Sequence, residues 1–326
     1  MNLKRPIEDP RNRFSKLIDL DKTRINLSPH IVFVCGGYVN ITDTTSNHSI
    51  RNMFMNISGT LGEKSEGFKL AENFKYWERG YKDLSEFEND IAAISTLVVI
   101  FLESAGALTE FGMFFANSEI RSKLVVIVDN KYHEEESFIK YGLLNPLEGD
   151  DQKKVLVFEV DHEDIENVDQ KEIQEILADI MDHCEGKDQT EAFDKNKRGH
   201  IIFLVLQIVD LFSALTKKEL AGYLINIGIE ISAKELTSTL YILEQFQLVK
   251  QTKKSSQYFY YVPSSLSDRA SLHFRGEERD GEKPKRYDSS AIRIQVRDYY
   301  EKTSRENPSN RRRVKVIPSI SEGTAS

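Results

Sequence analysis

The sequence predicts an α/β protein: a doubly wound parallel sheet, then a winged helix-turn-helix-like domain and a basic tail. Three observations carry this. In the first half, short continuous apolar runs alternate with segments of helical periodicity, the pattern of strands buried on both faces and the helices that cover them. In the second half, two capping boxes open successive helices and a hairpin pattern follows. The charge is also split. The 326-residue chain has a net charge of −8, but residues 264–326 carry 14 Lys+Arg against 10 Asp+Glu, a net of +4, which leaves −12 for residues 1–263. An acidic body with a basic tail is no generic nucleic-acid binder. It suits local contact with nucleic acid or with an acidic partner.

Taken in order, residues 1–30 are polar with a short amphipathic stretch at Phe14, Leu17, Ile18 and Leu20, and read as a small leading helix or an arm that docks elsewhere. The first core strand is HIVFVC, ending at Cys35, and Gly36-Gly37 follows where the chain must turn tightly. A helical pattern comes at Ile50, Met53, Phe54 and Ile57, then a loop over 59–67 and a short strand over 68–71. Residues 72–81 carry Asn73, Phe74, Tyr76 and Trp77 and read as a lid. Leu84, Phe87, Ile91 and Ile94 recur at helical spacing.

The stretch 97–129, LVVIFLESAGALTEFGMFFANSEIRSKLVVIVD, reads as strand, turn, helix and strand. Such a βαβ unit places ligands where the strands' carboxyl ends meet the helix amino ends. Glu103, Ser104 and Gly106 fall at that edge, Glu110 lies one turn into the helix, and Asp129 ends the second strand. A further strand over 155–160 and a helix over 165–184 close the domain, which spans 31–184. Residues 185–197 are a charged linker.

The second domain, 198–263, starts with the apolar helix HIIFLVLQIVDLF. Thr216 to Glu219 and Ser232 to Glu235 then open two more helices, and strands over 248–252 and 257–262 make a hairpin. That is the winged-helix order. Its third helix, the counterpart of a recognition helix, carries only Lys234 as a cation, whereas the wing has Lys250, Lys253 and Lys254. In the tail, 264–326, a helical patch covers 291–300, Arg311, Arg312, Arg313 and Lys315 form a basic cluster, and disorder is expected over 319–326.

Cys35 and Cys184 have no partner motif, which fits a reducing cytoplasm, no disulfide framework and no metal site. No signal peptide is expected at the start, and no apolar run approaches the roughly 18 residues of a membrane span. No Walker-type loop, HExxH pair or CxxC pair occurs. The chemistry therefore rests on carboxylates. A helix-start Glu is often only a partner for the helix dipole. Glu110, however, follows a turn of small residues and a helix amino end suited to phosphate, with Gly36-Gly37 as a second small-residue wall. Glu88, in FEND, is the second carboxylate, with Glu86 and Asp90 as competitors at this spacing. Trp77 is a candidate to stack on a base.

FLESAGALTEFGMFFANSEIRSKLVVIVDNKYHEEESFIKYG, with IVFVCGG upstream, resembles the effectors of type II retron antiphage systems, of the nucleoside deoxyribosyltransferase-like group, over about residues 31–146. The usual Pro after the Ser is Ala105 here. The resemblance implies a nucleoside deoxyribosyltransferase-like fold and cleavage of an N-glycosidic bond. Glu110 falls on the catalytic Glu and Glu88 on a Glu before the central strand. It implies NAD as substrate, no cofactor, and a toxin held in check by a retron reverse transcriptase and its multicopy single-stranded DNA with RNA, in an assembly that can be filamentous. Cys35, Gly36, Gly37, Glu103, Ser104, Gly106 and Asp129 would bind substrate. Lys250, Lys253, Lys254, Arg311, Arg312, Arg313 and Lys315 would contact nucleic acid or partner. Two alternatives stay open: a deoxynucleotide N-glycosidase or deoxyribosyltransferase, and a non-catalytic nucleotide sensor whose second domain engages nucleic acid or protein.

Overall fold

The structure, a computed structural model, describes residues 7–26, 31–40, 47–159, 164–185, 190–263, 272–276 and 287–321. Most of the early tail (264–271 and 277–286), residues 186–189 of the linker, His30 and the end of the expected disordered segment (322–326) lie outside the described residues. The chain divides into two units. One comprises Met1–Ser28, Glu78–Lys82 and Thr190–Ser326, and the other Pro29–Trp77 and Asp83–Gln189.

The N-terminal segment contains the expected small leading helix, and a strand that the sequence did not announce. It forms the helix Pro10–Leu17 and strand β1 (Ile18–Ile25). Pro at the first helical position and Asp9 as N-cap start the helix, the cap carboxylate accepting the Arg11 N–H at 3.0 Å.

The second unit named above is built on five parallel strands: β2 (Val32–Cys35), β3 (Phe68–Lys69), β4 (Leu97–Phe101), β5 (Leu124–Asp129) and β6 (Val155–Phe158). Their spatial order is β3-β2-β4-β5-β6, with Val32 opposite Leu97 and Cys35 opposite Ile100. Every residue of β2 and β4 is buried, as continuous Val/Ile/Phe runs require of strands covered on both faces. Val32, Val34, Val99, Val125 and Ile127 pack with the helices Ile50–Ser58 and Gln170–Glu185, the latter through Ile173, Ile176 and Ile180. Phe33, alternate to these in the pleat, meets Phe114 of the helix Ala105–Ala116 edge-on at 6.2 Å. The chain order reverses between β2 and β4, so the crevice outside the carboxyl ends of these strands is where such a sheet takes ligands.

In the other unit, β1 pairs antiparallel with β7 (Glu191–Ala192) and with β10 (Leu272–Gly276). Three helices follow β7: Arg198–Phe212, buried almost throughout, Lys217–Asn226 and Ala233–Gln245. Both expected capping boxes are formed, Thr216 with Glu219 and Ser232 with Glu235. The antiparallel hairpin β8 (Lys250–Lys254) and β9 (Gln257–Tyr261) comes next, and Leu215 bridges to Tyr260 through hydrogen bonds of 2.9 and 2.7 Å.

Among the described residues of the basic tail, two helices form, Ser289–Thr303 and Pro308–Ser321, the first over the expected helical patch. Arg313 is fully buried. Its guanidinium pairs with Glu219, contacts Asn310 and donates to the Ala214 carbonyl at 2.9 Å. Arg11, also buried, donates to the Tyr300 hydroxyl at 3.1 Å, and that hydroxyl donates to the Phe212 carbonyl at 2.6 Å. One Glu at a helix cap thus receives both ends of the chain, since Arg11 also reaches Glu219, at 3.5 Å. Among the described residues no helix is long and apolar enough to cross a membrane.

Candidate active site

A cleft of about 600 Å³ opens at the carboxyl end of β2. Phe33, Val34, Cys35 and Gly36 form its floor, and Glu88 and Glu110 project into it from the helices Leu84–Ile94 and Ala105–Ala116. Phe74, Lys75, Tyr76 and Trp77, from the segment read as a lid, make an aromatic wall, and Arg51 and Glu72 complete the lining. Among the three acidic candidates of the helix before β4, Glu88 lines the cleft, while Glu86 and Asp90 are not among its lining residues.

Glu88 is 6 % exposed. Burial pushes its carboxyl up to about 7, with Glu110 and Glu72 adding to the rise and Arg51 opposing it. Glu110 is also pushed up to about 7 by burial. Arg51 opposes that rise, Glu72 adds to it, and a hydrogen bond from the Cys35 thiol opposes it. Burial, reinforced by Glu110 and Glu88, raises the Cys35 thiol well above its ordinary range, so it is a protonated donor rather than a thiolate nucleophile. Glu110 Oε2 is buried with no hydrogen-bond partner in the protein. Buried polar atoms are nearly always paired, so an oxygen left bare inside a cleft marks Glu110 as a candidate ligand-binding group.

The remaining edge residues do different work. Glu103 is absent from the cleft lining, and its carboxylate accepts three backbone N–H groups, from Gly37 at 2.9 Å, Ile50 at 2.7 Å and Arg51 at 3.0 Å. It sits at the amino end of the helix Ile50–Ser58, where an anion is favoured. This explains the two glycines. A Cβ on Gly37 would lie 2.9 Å from Glu103 Cδ and 2.8 Å from Ser49 Cβ, and one on Gly36 would lie 2.9 Å from Phe101 Cβ. The Gly37 N–H expected to hold phosphate is therefore bonded to the protein's own carboxylate.

Ser104 is the N-cap of the helix Ala105–Ala116, accepting the Ala107 N–H at 3.1 Å and donating to the Gly36 carbonyl at 3.5 Å. Asp129 caps the five-residue helix Asn130–Glu134, accepting the Lys131 N–H at 2.9 Å. Gly106 is exposed in the first helical turn, and a Cβ there would meet only Ser104 Oγ, at 3.7 Å. Thus Cys35, Gly36, Glu88 and Glu110 come together in the cleft. Gly37, Glu103, Ser104, Gly106 and Asp129 stand outside its lining.

Arg51 escaped the sequence reading. It is 4 % exposed, donates to the Gly37 carbonyl at 2.6 Å and the Val34 carbonyl at 3.2 Å, and pairs with Glu72 at 2.5 Å. The available signal was an Arg on the buried side of the helix that follows the first core strand. Among the described residues no group of three or more His, Cys, Asp or Glu side chains is placed to hold a metal ion.

Of the expected partner contacts, Lys250, Lys253, Arg311 and Lys315 are exposed, and Lys254 and Arg312 are half-buried. Lys253 Nζ lies 5.3 Å from the Tyr258 ring centroid, and Arg312 donates to Gln257 at 2.7 Å. Arg313 differs from the expectation. Its charge is neutralised by Glu219 inside the unit, because the helix Pro308–Ser321 turns that side chain inward.

Comparison with known proteins adds the family. The model of the STM3845 retron effector protein matches residues 47–251, which include Glu88, Glu110 and most of the cleft. The chain belongs to the STM3845 retron effector family. Two curated relatives from Escherichia coli are similar to parts of it. One, named "Retron Ec86 putative ribosyltransferase/DNA-binding protein", is 37% identical over 78 residues, 24% of this chain and 25% of the relative. The retron Ec73 protein of the same description is 26% identical over 140 residues, 41% of this chain and 43% of the relative. The similarity thus spans less than half the length of either relative.

Proposed function

We propose that this retron effector is a toxin of antiphage defence that hydrolyses the N-glycosidic bond of NAD, with Glu110 as the catalytic carboxylate. The observation that carries the reading is the bare, buried Glu110 Oε2 in an aromatic-walled cleft. The ring of Trp77 or Tyr76 packs on the nicotinamide, and Glu88 accepts hydrogen bonds from the ribose hydroxyls. Glu110 attacks C1′ of the ribose, or stabilises its oxocarbenium-like transition state. The C1′–N bond breaks and its electron pair passes to the nicotinamide nitrogen. That ring is cationic in NAD and leaves neutral, so no strong general acid is needed. Water then attacks C1′, displacing the Glu110 carboxylate where it has bonded there or capturing the oxocarbenium-like centre directly, and gives its proton to Glu88.

The description of the relatives, ribosyltransferase/DNA-binding, supports glycosyl-transfer chemistry, and deoxynucleotides are the alternative substrate class for the same site. It also supports a nucleic-acid partner. We assign the sheet unit to a nucleoside deoxyribosyltransferase-like fold and the helices with their hairpin to a winged-helix-like module. The partner is a reverse transcriptase with its RNA–DNA product, met in the cytoplasm by Lys250, Lys253, Lys254, Arg311, Arg312 and Lys315.

The test is product analysis by mass spectrometry, with wild type and Glu110→Gln assayed alone and with the reverse transcriptase complex. Nicotinamide release from NAD that is lost in the variant supports the reading. Free bases from deoxynucleotides move the substrate to the second class, and equal hydrolysis by Glu110→Gln overturns the site.

A further inference from the structure

Every residue that lines the cleft belongs to the sheet unit, and two of them form a lopsided ion pair. Arg51 is the fixed partner. Its Nε donates to the Gly37 carbonyl at 2.6 Å and its Nη1 to the Val34 carbonyl at 3.2 Å, so the guanidinium is locked against the carboxyl end of β2. Its third nitrogen, Nη2, donates to Glu72 at 2.5 Å. Glu72 is the loose partner. It stands on the three-residue turn Ala71–Asn73, and its side chain is 43 % exposed where that of Arg51 is 5 % exposed.

The groups from which this edge of the sheet would ordinarily offer N–H and O–H bonds to a phosphate are already taken. The Gly37 N–H is bonded to Glu103, and the Ser104 hydroxyl caps its own helix. Among the lining residues the cations are Arg51 and Lys75, against the carboxyls of Glu72, Glu88 and Glu110. An anion that enters while Glu72 is seated meets a cation already neutralised. With Glu72 turned out to solvent, the guanidinium is open on its cleft side, and the two carboxyls left facing it are partly protonated near neutrality. An ion pair with so exposed a member is worth little, whereas a guanidinium binds phosphate through parallel N–H bonds. Exchange of one anion for the other also leaves the buried Arg51 charge paired in both states, which a simple opening would not.

Building on the reading of the cleft as a nucleotide site, we infer that Glu72 is a built-in stand-in for a substrate phosphate: the phosphate takes Nη2 of Arg51, and Glu72 swings into solvent. Arg51 then selects nucleotides over nucleosides, and Glu72 sets the affinity that an anion must have to enter.

The experiment uses the full-length protein and inorganic pyrophosphate, which has no glycosidic bond and reports the anion seat whether or not any nucleotide is hydrolysed. Binding is measured by calorimetry in the wild type, Glu72→Gln, Glu72→Asp and Arg51→Gln. Glu72→Gln should tighten binding on the order of fivefold, the scale of a half-exposed ion pair. Glu72→Asp keeps the charge but shortens the reach to Nη2, and should tighten binding in the same direction. Arg51→Gln should weaken it by about tenfold or more, since the charged fork is lost. The KM for NAD should fall in Glu72→Gln by a factor similar to the gain in pyrophosphate affinity, while that for nicotinamide riboside, which has no phosphate, stays within about twofold.

Equal pyrophosphate binding in wild type and Glu72→Gln, or no binding in either, overturns the exchange. So does tightening in Glu72→Gln with none in Glu72→Asp, which would mean relief of charge at a distance. If Arg51→Gln does not fold, the two Glu72 variants decide alone. Tightening in both without NAD hydrolysis in the wild type removes the NAD reading and keeps the anion seat. NAD hydrolysis that depends on Glu110, with no response to Glu72, keeps that reading and removes the exchange.

Discussion

Two carboxylates seven residues apart, Glu103 and Glu110, sit at the same edge of the same sheet and have opposite fortunes. Glu103 is saturated by three backbone N–H groups, whereas Glu110 keeps an oxygen buried and bare. The first ties together a glycine turn and a helix start that are distant in sequence. The second, with Glu88, is held in a cleft where burial lifts both carboxyls to about 7. A satisfied carboxylate contributes to the fold, and an unsatisfied one is available to a ligand. The difference separates scaffold from chemistry more sharply than position along the sequence does.

The largest test of that contrast is Glu110→Gln. The change is isosteric, so thermal stability should hold or rise while the proposed glycosidic step falls by about 10²–10³-fold or more, the cost of losing a transition-state electrostatic partner. Nicotinamide release and a melting curve on the same sample check both halves. Glu103→Ala should behave in the reverse way. It strands three N–H groups and empties a helix amino end, so stability should drop by about 2–4 kcal/mol. Activity should then be lost with the fold and recovered on cooling. A Glu103→Ala protein that melts like wild type but does not turn over would move Glu103 into the chemistry.

Much of the scaffold was legible. Continuous β-branched runs announced β2, β4 and β5, and the two capping boxes formed where their spacing placed them. Glu88 and Glu110 were legible as candidates because each stands one turn into a helix flanking the central strand. What escaped depends on partners far apart in the chain. The Arg51–Glu72 pair and the three donors to Glu103 span 21 to 66 residues, and no periodicity records such a meeting. β1 was hidden because IDLDKTRI is charged where a buried strand is apolar, and its partners β7 and β10 come far later. The burial of Arg313 was masked by its neighbours: RRR reads as a basic cluster for a partner, yet one of the three turns inward to Glu219.

The titration of the cleft sharpens the comparison further. For Glu88 the folded pKa, about 7, is above the ordinary value of 4.5. Between those values the folded state binds more protons than the unfolded state, so this group's contribution makes stability fall as pH rises from about 4.5 to 7 and level off above that. Glu88→Gln should therefore stabilise the protein on the order of 1–3 kcal/mol at pH 8, with the gain shrinking towards pH 5. Melting of wild type and variant at both pH values checks the sign. Because Glu88 and Glu110 interact, the acid limb of the proposed NAD hydrolysis belongs to the pair and should lie near neutrality. A limb near pH 4.5 would mean that the carboxylates titrate as exposed groups.

The smallest effect belongs to Ser104, and it discriminates well because the residue invites two readings. A serine at the amino end of a helix beside a glycine turn suits phosphate recognition, and its removal would then raise the KM for NAD. In the structure its hydroxyl already accepts the Ala107 N–H and faces the Gly36 carbonyl, the arrangement of an N-cap. Ser104→Ala should then cost about 0.5–2 kcal/mol of stability, the ordinary loss of a cap. The KM for NAD should stay within about twofold, since uniform substrate binding is what KM reports when chemistry is unchanged. A raised KM at wild-type stability would place the substrate's phosphates at this turn and make Ser104 a ligand-binding group. An unchanged KM with a lowered melting temperature would class it with Glu103, among the groups that satisfy the backbone so that Glu110 can be left unsatisfied.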